Sequence, residues 1–244
     1  MSEKGLLGII GGVGPYAGLD TFKALLDASH AERDQDYPDI LVASCPSRIP
    51  DRTRWLLNRE GPNPAYGLFD SAERLYAAGV RTLMIACNTT HAEPIFSVLS
   101  ALVREKLPDL DIVHLIQSCA DHIARDTAHR KVGLLATKGT HANKVYENAF
   151  LRYPDITLIV PDEALQARVM DAIDSPNFGI KTFSSPVRAE AIAILKDTVG
   201  ALKERGAEAV ILGCTELVLA LPHGELPLVN PVETAVRKML EKVR

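Results

Sequence analysis

Four cysteines, Cys45, Cys87, Cys119 and Cys214, raise the first chemical question, because a thiol can be a metal ligand, a nucleophile, an acid–base group or a small apolar side chain. They are widely spaced, with no C-x-x-C and no Cys/His pair at zinc-finger spacing, so no metal site is expected. Cys87 and Cys214 stand apart through their surroundings. Leu75-Tyr-Ala-Ala-Gly79-Val-Arg-Thr-Leu-Met-Ile-Ala-Cys87-Asn-Thr89 lies over Leu202-Lys-Glu-Arg-Gly206-Ala-Glu-Ala-Val-Ile-Leu-Gly-Cys214-Thr-Glu216, each Cys eight residues after a Gly. Polar residues follow both thiols, Asn88, Thr89 and Thr90 after the first and Thr215 and Glu216 after the second, able to hydrogen-bond an anion. Two thiols on either side of one ligand suit a particular reaction class: a proton leaves one face of a carbon and another arrives on the opposite face. A single nucleophile needs no such symmetric partner. His91, four residues past Cys87, could form a Cys/His pair, but the second copy has no histidine, and a structural or supporting role is the expectation.

Two further segments carry candidate chemistry. Gly12-Val13-Gly14-Pro15-Tyr16-Ala17 fits G-x-G-x-x-G/A, yet the next strand pattern ends Val42-Ala43-Ser44-Cys45 with no acidic residue to take a ribose, so NAD is not expected. The preferred reading is a tight turn in which Pro15 opens a helix and the backbone amides around Gly12, Val13 and Gly14 face an anionic ligand. Arg48, Arg52 and Arg54 cluster just after the second strand pattern. They read equally as a solvated basic loop or as a carboxylate clamp using the guanidinium fork.

The elements that position these residues are legible as short apolar runs at 6–10, 40–43, 82–86, 112–116, 131–135, 156–160, 209–212 and 226–229, separated by helical stretches. Runs this short and apolar predict strands buried on both faces of parallel sheets, hence an α/β fold. One helix is expected from about Gly67 to Ala78 and another through Ile192, Leu195, Val199 and Leu202, with Gly79 and Gly206 at their C-caps. A second internal match, Leu7-Gly8-Ile-Ile-Gly-Gly-Val-Gly14-Pro against Val132-Gly133-Leu-Leu-Ala-Thr-Lys-Gly139-Thr, falls at nearly the same offset as the first. Two such matches predict two pseudo-symmetric α/β halves, each with a Cys just past a strand end, where ligands of open parallel sheets bind.

Composition excludes other classes. Lys plus Arg is 27 and Asp plus Glu is 31, a formal charge of −4 without a basic block, so nucleic acid is not an expected partner and an acidic ligand must be held locally. No apolar run approaches the roughly 18 residues of a membrane span, and Met-Ser-Glu-Lys-Gly leads into a strand pattern rather than a signal peptide. A cytoplasmic protein with free thiols is expected.

These residues resemble the cofactor-independent aspartate/glutamate racemase superfamily, and most its aspartate racemase branch, along nearly the whole chain: Gly11-Gly-Val-Gly-Pro-Tyr-Ala17, Arg33-Asp-Gln-Asp, Ile49-Pro-Asp-Arg-Thr53, Cys87-Asn-Thr89, Leu134-Leu-Ala-Thr-Lys-Gly-Thr140 and Gly213-Cys-Thr-Glu216. The resemblance implies two Rossmann-like domains, residues 1–117 plus 225–244 and residues 118–224, with the last strand and helix returning to the first. It implies that Cys87 and Cys214 are the two bases, Cys214 acting on the L-enantiomer and Cys87 on the D-enantiomer. Asn88, Thr89, Thr137, Thr140 and Thr215 would hold the α-carboxylate and amino group, and Arg52 with Lys181 the side-chain carboxylate. Glu216 would orient or relay protons to Cys214. No metal or cofactor is implied; the expected partners are a small acidic amino acid and a second copy in a homodimer. After Lys181, Thr182-Phe-Ser-Ser-Pro departs from the family's usual small residue and leaves the choice of acidic substrate open. Other carbon-acid enzymes of the superfamily, such as a hydantoin racemase, a maleate isomerase, a malonate decarboxylase or a broad-specificity amino-acid racemase, are the alternatives. A two-domain periplasmic-type binding protein is the non-enzymatic one.

Overall fold

A computed structural model describes residues 5–243. Eight strands occur among them: β1 (Leu7–Gly11), β2 (Ile40–Ser44), β3 (Thr82–Ile85), β4 (Asp111–Val113), β5 (Lys131–Ala136), β6 (Thr157–Ile159), β7 (Ala209–Gly213) and β8 (Leu228–Val229). They form two parallel four-stranded sheets ordered β2-β1-β3-β4 and β6-β5-β7-β8. The second order is the first advanced by four strands, so the repeat read from the sequence is a repeat of topology, with β1 matching β5 and β3 matching β7. The segments that leave β1 and β5 carry Gly14, at the N-cap of the helix Pro15–Ser29, and Gly139, in the first turn of the helix Lys138–Ala142, the equivalent positions of the second internal match.

Most strands are buried on both faces, as continuous apolar runs require. The edge strands are the exceptions: Asp111 in β4 and Thr157 in β6 are exposed, and in β2 Leu41 and Val42 are 36% and 43% exposed, because an edge strand is only partly covered by the neighbouring helices. The helices preceding β3 and β7 run Pro64–Ala77 and Ala189–Glu204 and stop at Gly79 and Gly206, whose φ values of 101° and 90° are the left-handed conformation a C-cap favours. The run 112–116 divides: the strand ends at Val113 and a helix, Leu115–Asp126, follows. His114 ends the strand by capping that helix, its Nδ1 accepting from the Gln117 N–H at 3.1 Å.

The last strand also departs from expectation. Instead of returning to the first domain with its helix, β8 hydrogen-bonds to β7 and completes the second sheet. Only the helix Pro231–Glu241 crosses back, packing Val232, Val236 and Met239 against Leu7, Ile9 and Met84. The crossing therefore falls between Val229 and Pro231 rather than at residue 225. A continuous core joins the halves, running from Ile10, Leu83 and Ile85 to Val132, Leu134 and Tyr146. Each large side chain fully buried there contributes about 1.5–3 kcal/mol. No helix among the described residues is long and apolar enough to cross a membrane.

Candidate active site

Both repeat cysteines emerge where their strands end, Cys87 two residues after β3 and Cys214 directly after β7. The halves meet so that both line one narrow pocket, together with Val13, Arg52, Asn88, Thr89, Thr137, Lys181, Thr215 and Glu216. Cys45 is half-buried outside that lining and Cys119 is a core residue; all four thiols are free. A larger groove lies elsewhere, between the helices Pro15–Ser29 and Pro231–Glu241, but it holds neither repeat cysteine. Among the described residues no group of three or more His, Cys, Asp or Glu is placed to hold a metal ion.

Cys214 and Glu216 form a hydrogen-bonded pair. The Cys214 Sγ–H donates to Glu216 Oε2 at 3.1 Å, and the Thr215 hydroxyl reaches the same oxygen at 3.3 Å and the Ala86 carbonyl at 3.2 Å. Burial, together with the Glu216 carboxylate beside it, pushes the Cys214 thiol well above the ordinary cysteine range. Cys214 is thus held as a thiol, hydrogen-bonded to the Glu216 side chain.

Glu216 also explains Gly14. The Gly14 backbone is extended, at φ 163°, which any residue adopts, but a Cβ there would run into Glu216 Oε1. The mirror position behaves alike, since a Cβ on Gly139 would meet Thr53 Oγ1 at 2.9 Å and Thr89 Cγ2 at 3.1 Å. Each turn thus lets its glycine approach groups of the opposite half. Gly14→Ala should leave the thermal unfolding midpoint within a few degrees of the parent while lowering turnover at least tenfold, because displacing a positioned group by an ångström costs that much or more. Parental turnover by this variant would show that the Glu216 position is not critical.

Three threonines close a hydroxyl triangle across the halves. Thr89 Oγ1 is 3.0 Å from both Thr137 Oγ1 and Thr140 Oγ1, and these two are 3.1 Å apart. Thr137 also caps the short helix Lys138–Ala142 by accepting from the Thr140 N–H. Thr89 and Thr137 line the pocket; Thr140, fully buried, supports them from behind rather than lining it. The triangle satisfies the hydroxyls internally, and an anion entering the pocket can recruit the two lining donors by turning each O–H about its Cβ–Oγ1 bond.

Arg52 opens the helix Arg52–Asn58 behind Asp51, whose side chain accepts from the Arg54 N–H at 2.7 Å. Its guanidinium donates to the carbonyls of Val13 and Pro50, leaving Nε buried and unpartnered among the described residues. Burial opposes the Arg52 charge, but Cys87 and Asp51 facing it outweigh that cost and raise its pKa. The same contest, with Cys214, Glu216 and Asp51 prevailing over burial, raises Lys181, whose Nζ is 3.9 Å from Asp51 Oδ2. Of the three clustered arginines only Arg52 reaches the pocket; Arg48 pairs with Asp70 on the surface.

Gly12 and Gly14 line an adjoining cleft that shares Val13, Arg52, Lys181 and Glu216 with the pocket. Thr90 lies outside both linings, its hydroxyl buried without a partner among the described residues, because the tight turn Thr89–His91 directs it into the protein. His91 does not pair with the Cys87 thiol. Its Nε2 accepts from the Leu115 N–H at 3.3 Å, so Nδ1 carries the hydrogen donated to the Cys87 carbonyl at 2.9 Å. Burial, then the nearby His114, holds this ring well below the ordinary histidine range and neutral. The sequence reading missed Asp51 and Thr53 in the lining and Tyr146 behind Asn88. Asp51 and Thr53 flank Arg52 in the Pro-Asp-Arg-Thr motif and were within reach of it; Tyr146 gave no local signal.

Comparison with known proteins adds a family match, to Asp/Glu/Hydantoin racemase over residues 10–239. A glutamate racemase of Acidothermus cellulolyticus is 32% identical over 173 residues, 68% of this chain and 59% of that protein. One from Listeria monocytogenes is 30% identical over 147 residues, 59% of this chain and 48% of that protein. The chain thus spans about half to three-fifths of these relatives' length. Among solved structures, the Picrophilus torridus aspartate racemase superposes with TM-score 0.80 at 22% identity, covering 98% of this chain and 94% of that one. An aspartate racemase homologue from Pyrococcus horikoshii gives TM-score 0.70 at 24% identity, covering 98% and 99%. At such identities the likeness is one of fold.

Proposed function

Because the chain belongs to the Asp/Glu/hydantoin racemase family, we propose that its pocket interconverts the L- and D-forms of an acidic amino acid, aspartate, glutamate or both. The observation that carries this reading is the placement of Cys87 and Cys214, one from each half, in a single buried pocket beside Arg52 and Lys181. In the L-to-D direction Cys214 passes its thiol proton to Glu216 and, as thiolate, takes the α-proton; Cys87 gives its thiol proton to the opposite face. The D-to-L direction is the reverse: Cys87, in the thiolate form that the L-to-D passage leaves, takes the α-proton, Cys214 gives its thiol proton to the opposite face, and Cys214 then recovers a proton from Glu216.

An α-proton is far less acidic than a thiol, so the pocket must stabilise the dianionic carboxylate that develops as the proton leaves. Preorganised donors do this at little reorganisation cost, and the Asn88 amide and the Thr89, Thr137 and Thr215 hydroxyls around the pocket are suited to it. Arg52 and Lys181 provide the charge for the side-chain carboxylate, which the net charge of −4 cannot attract from afar.

The test is incubation with single enantiomers of each amino acid in D2O, followed by chiral chromatography and mass measurement. Aspartate or glutamate should lose enantiomeric purity and gain one deuterium at Cα, while neutral amino acids change little. Exclusive turnover of a hydantoin or of neutral amino acids would overturn the acidic-substrate assignment. Binding of an amino acid without any exchange would point to a binding protein.

A further inference from the structure

Tyr146 is wholly buried in the second half, and its hydroxyl donates to Asn88 Oδ1 of the first at 2.6 Å. Asn88 is itself 2% exposed, lines the pocket immediately after Cys87, and leaves its Nδ2 buried with no partner among the described residues. A carboxamide can present either its oxygen or its NH2 to a site, and the two faces have opposite meaning for an anion. From this juxtaposition we infer that Tyr146 is a positioning residue: it anchors the Asn88 oxygen and thereby keeps the Asn88 NH2 turned toward the substrate carboxylate. The inference rests on the racemase reading above and adds to it the group that sets the polarity of one donor.

The energetics favour this orientation. A phenol has one hydrogen to donate, and Asn88 Oδ1 is the acceptor within reach of it. Were the amide reversed, that hydrogen would lose its acceptor inside a packed core, which is unfavourable for a buried donor. Burial raises the Tyr146 phenol well above its ordinary range, so it stays protonated and keeps donating at any working pH. The bond also ties the helix Val145–Phe150 to the turn carrying Cys87, so one contact sets both the amide and part of the register between the halves.

The experiment compares the parent chain with Tyr146→Phe, Asn88→Ala, the double variant and Asn88→Asp. It measures kcat/KM for L- and D-aspartate and for L- and D-glutamate, with thermal unfolding recorded in parallel. Tyr146→Phe keeps the ring and its packing, and should lower kcat/KM in both directions by about tenfold or more, the equivalent of one hydrogen bond to a charged group. The double variant should be no slower than Asn88→Ala alone, because the hydroxyl acts only through the amide. Asn88→Asp, near in volume but lacking the donor, should lose at least as much as Asn88→Ala. Losses that multiply in the double variant, or parental turnover by folded Tyr146→Phe, would overturn the inference. If Tyr146→Phe does not fold, Asn88→Asp decides: parental turnover by that variant would equally overturn it. A parent chain that racemises neither substrate would instead overturn the racemase reading, and the inference with it.

Discussion

Replacing Cys87 by Ser should reduce racemisation by several orders of magnitude, and replacing Cys214 by Ser should do the same. Each variant keeps one thiol, so each can still remove an α-proton from one face but has no thiol to deliver a proton to the other. The surviving half-reaction is readable with a β-substituted substrate, whose leaving group departs after proton removal and makes reprotonation unnecessary. Cys87→Ser, keeping Cys214, should eliminate from the L-form, and Cys214→Ser, keeping Cys87, from the D-form. The structure gives this expectation a further asymmetry. Cys214 has Glu216 within 3.1 Å to take its proton, and Cys87 has no carboxylate hydrogen-bonded to its sulfur among the described residues. Glu216→Gln should therefore slow elimination from the L-form more than from the D-form. Near-parental racemisation by either cysteine variant would refute a two-base mechanism. Folded variants equally dead toward both enantiomers would show one catalytic thiol supported by the other.

Arg52→Ala should produce the next largest effect, and a selective one. A buried guanidinium that keeps its charge against desolvation beside Asp51 is suited to a substrate carboxylate, and its unpartnered Nε is a donor left over for one. Its loss should cut kcat/KM for aspartate and glutamate by about a hundredfold, in the range for removing one member of a desolvated charged contact. Arg52 also holds the Val13 and Pro50 carbonyls, so part of any loss is structural. Any residual activity toward a neutral amino acid separates the contributions: a structural loss lowers both substrates alike, a lost clamp only the acidic ones. Arg52→Lys should fall between parent and Ala, because a lysine keeps the charge without the fork.

The positions of Cys87 and Cys214 were legible because local rules and a repeat agreed. An apolar run ended by a polar cluster marks a strand end, a preceding Gly marks the helix stop, and doubling the pattern doubled the sheet order. What was not legible depended on distant partners. The two-residue strand β8 has too little sequence of its own to declare a sheet; Val210 and Ile211 of β7 decide it. In β2, Leu41 and Val42 read as buried because composition does not reveal an edge position. Thr90 looked equivalent to Thr89, but one step around a tight turn reverses the direction of a side chain. Tyr146 reaches Asn88 across 58 residues of chain, a contact that only the docking of the halves creates.

The most direct measurement of the central claim is the early isotope distribution when the parent enzyme works on one enantiomer in D2O. With two thiols on opposite faces, the proton taken from the substrate resides on one sulfur while the solvent-derived deuteron arrives from the other. At low conversion the product enantiomer should carry deuterium at Cα almost completely, and recovered starting enantiomer should remain almost entirely protiated, whichever enantiomer is supplied. Deuterium entering the recovered substrate as fast as the product, or product retaining the substrate's own hydrogen, would mean that a single group serves both faces, contradicting the assignment of Cys87 and Cys214 as paired acid and base.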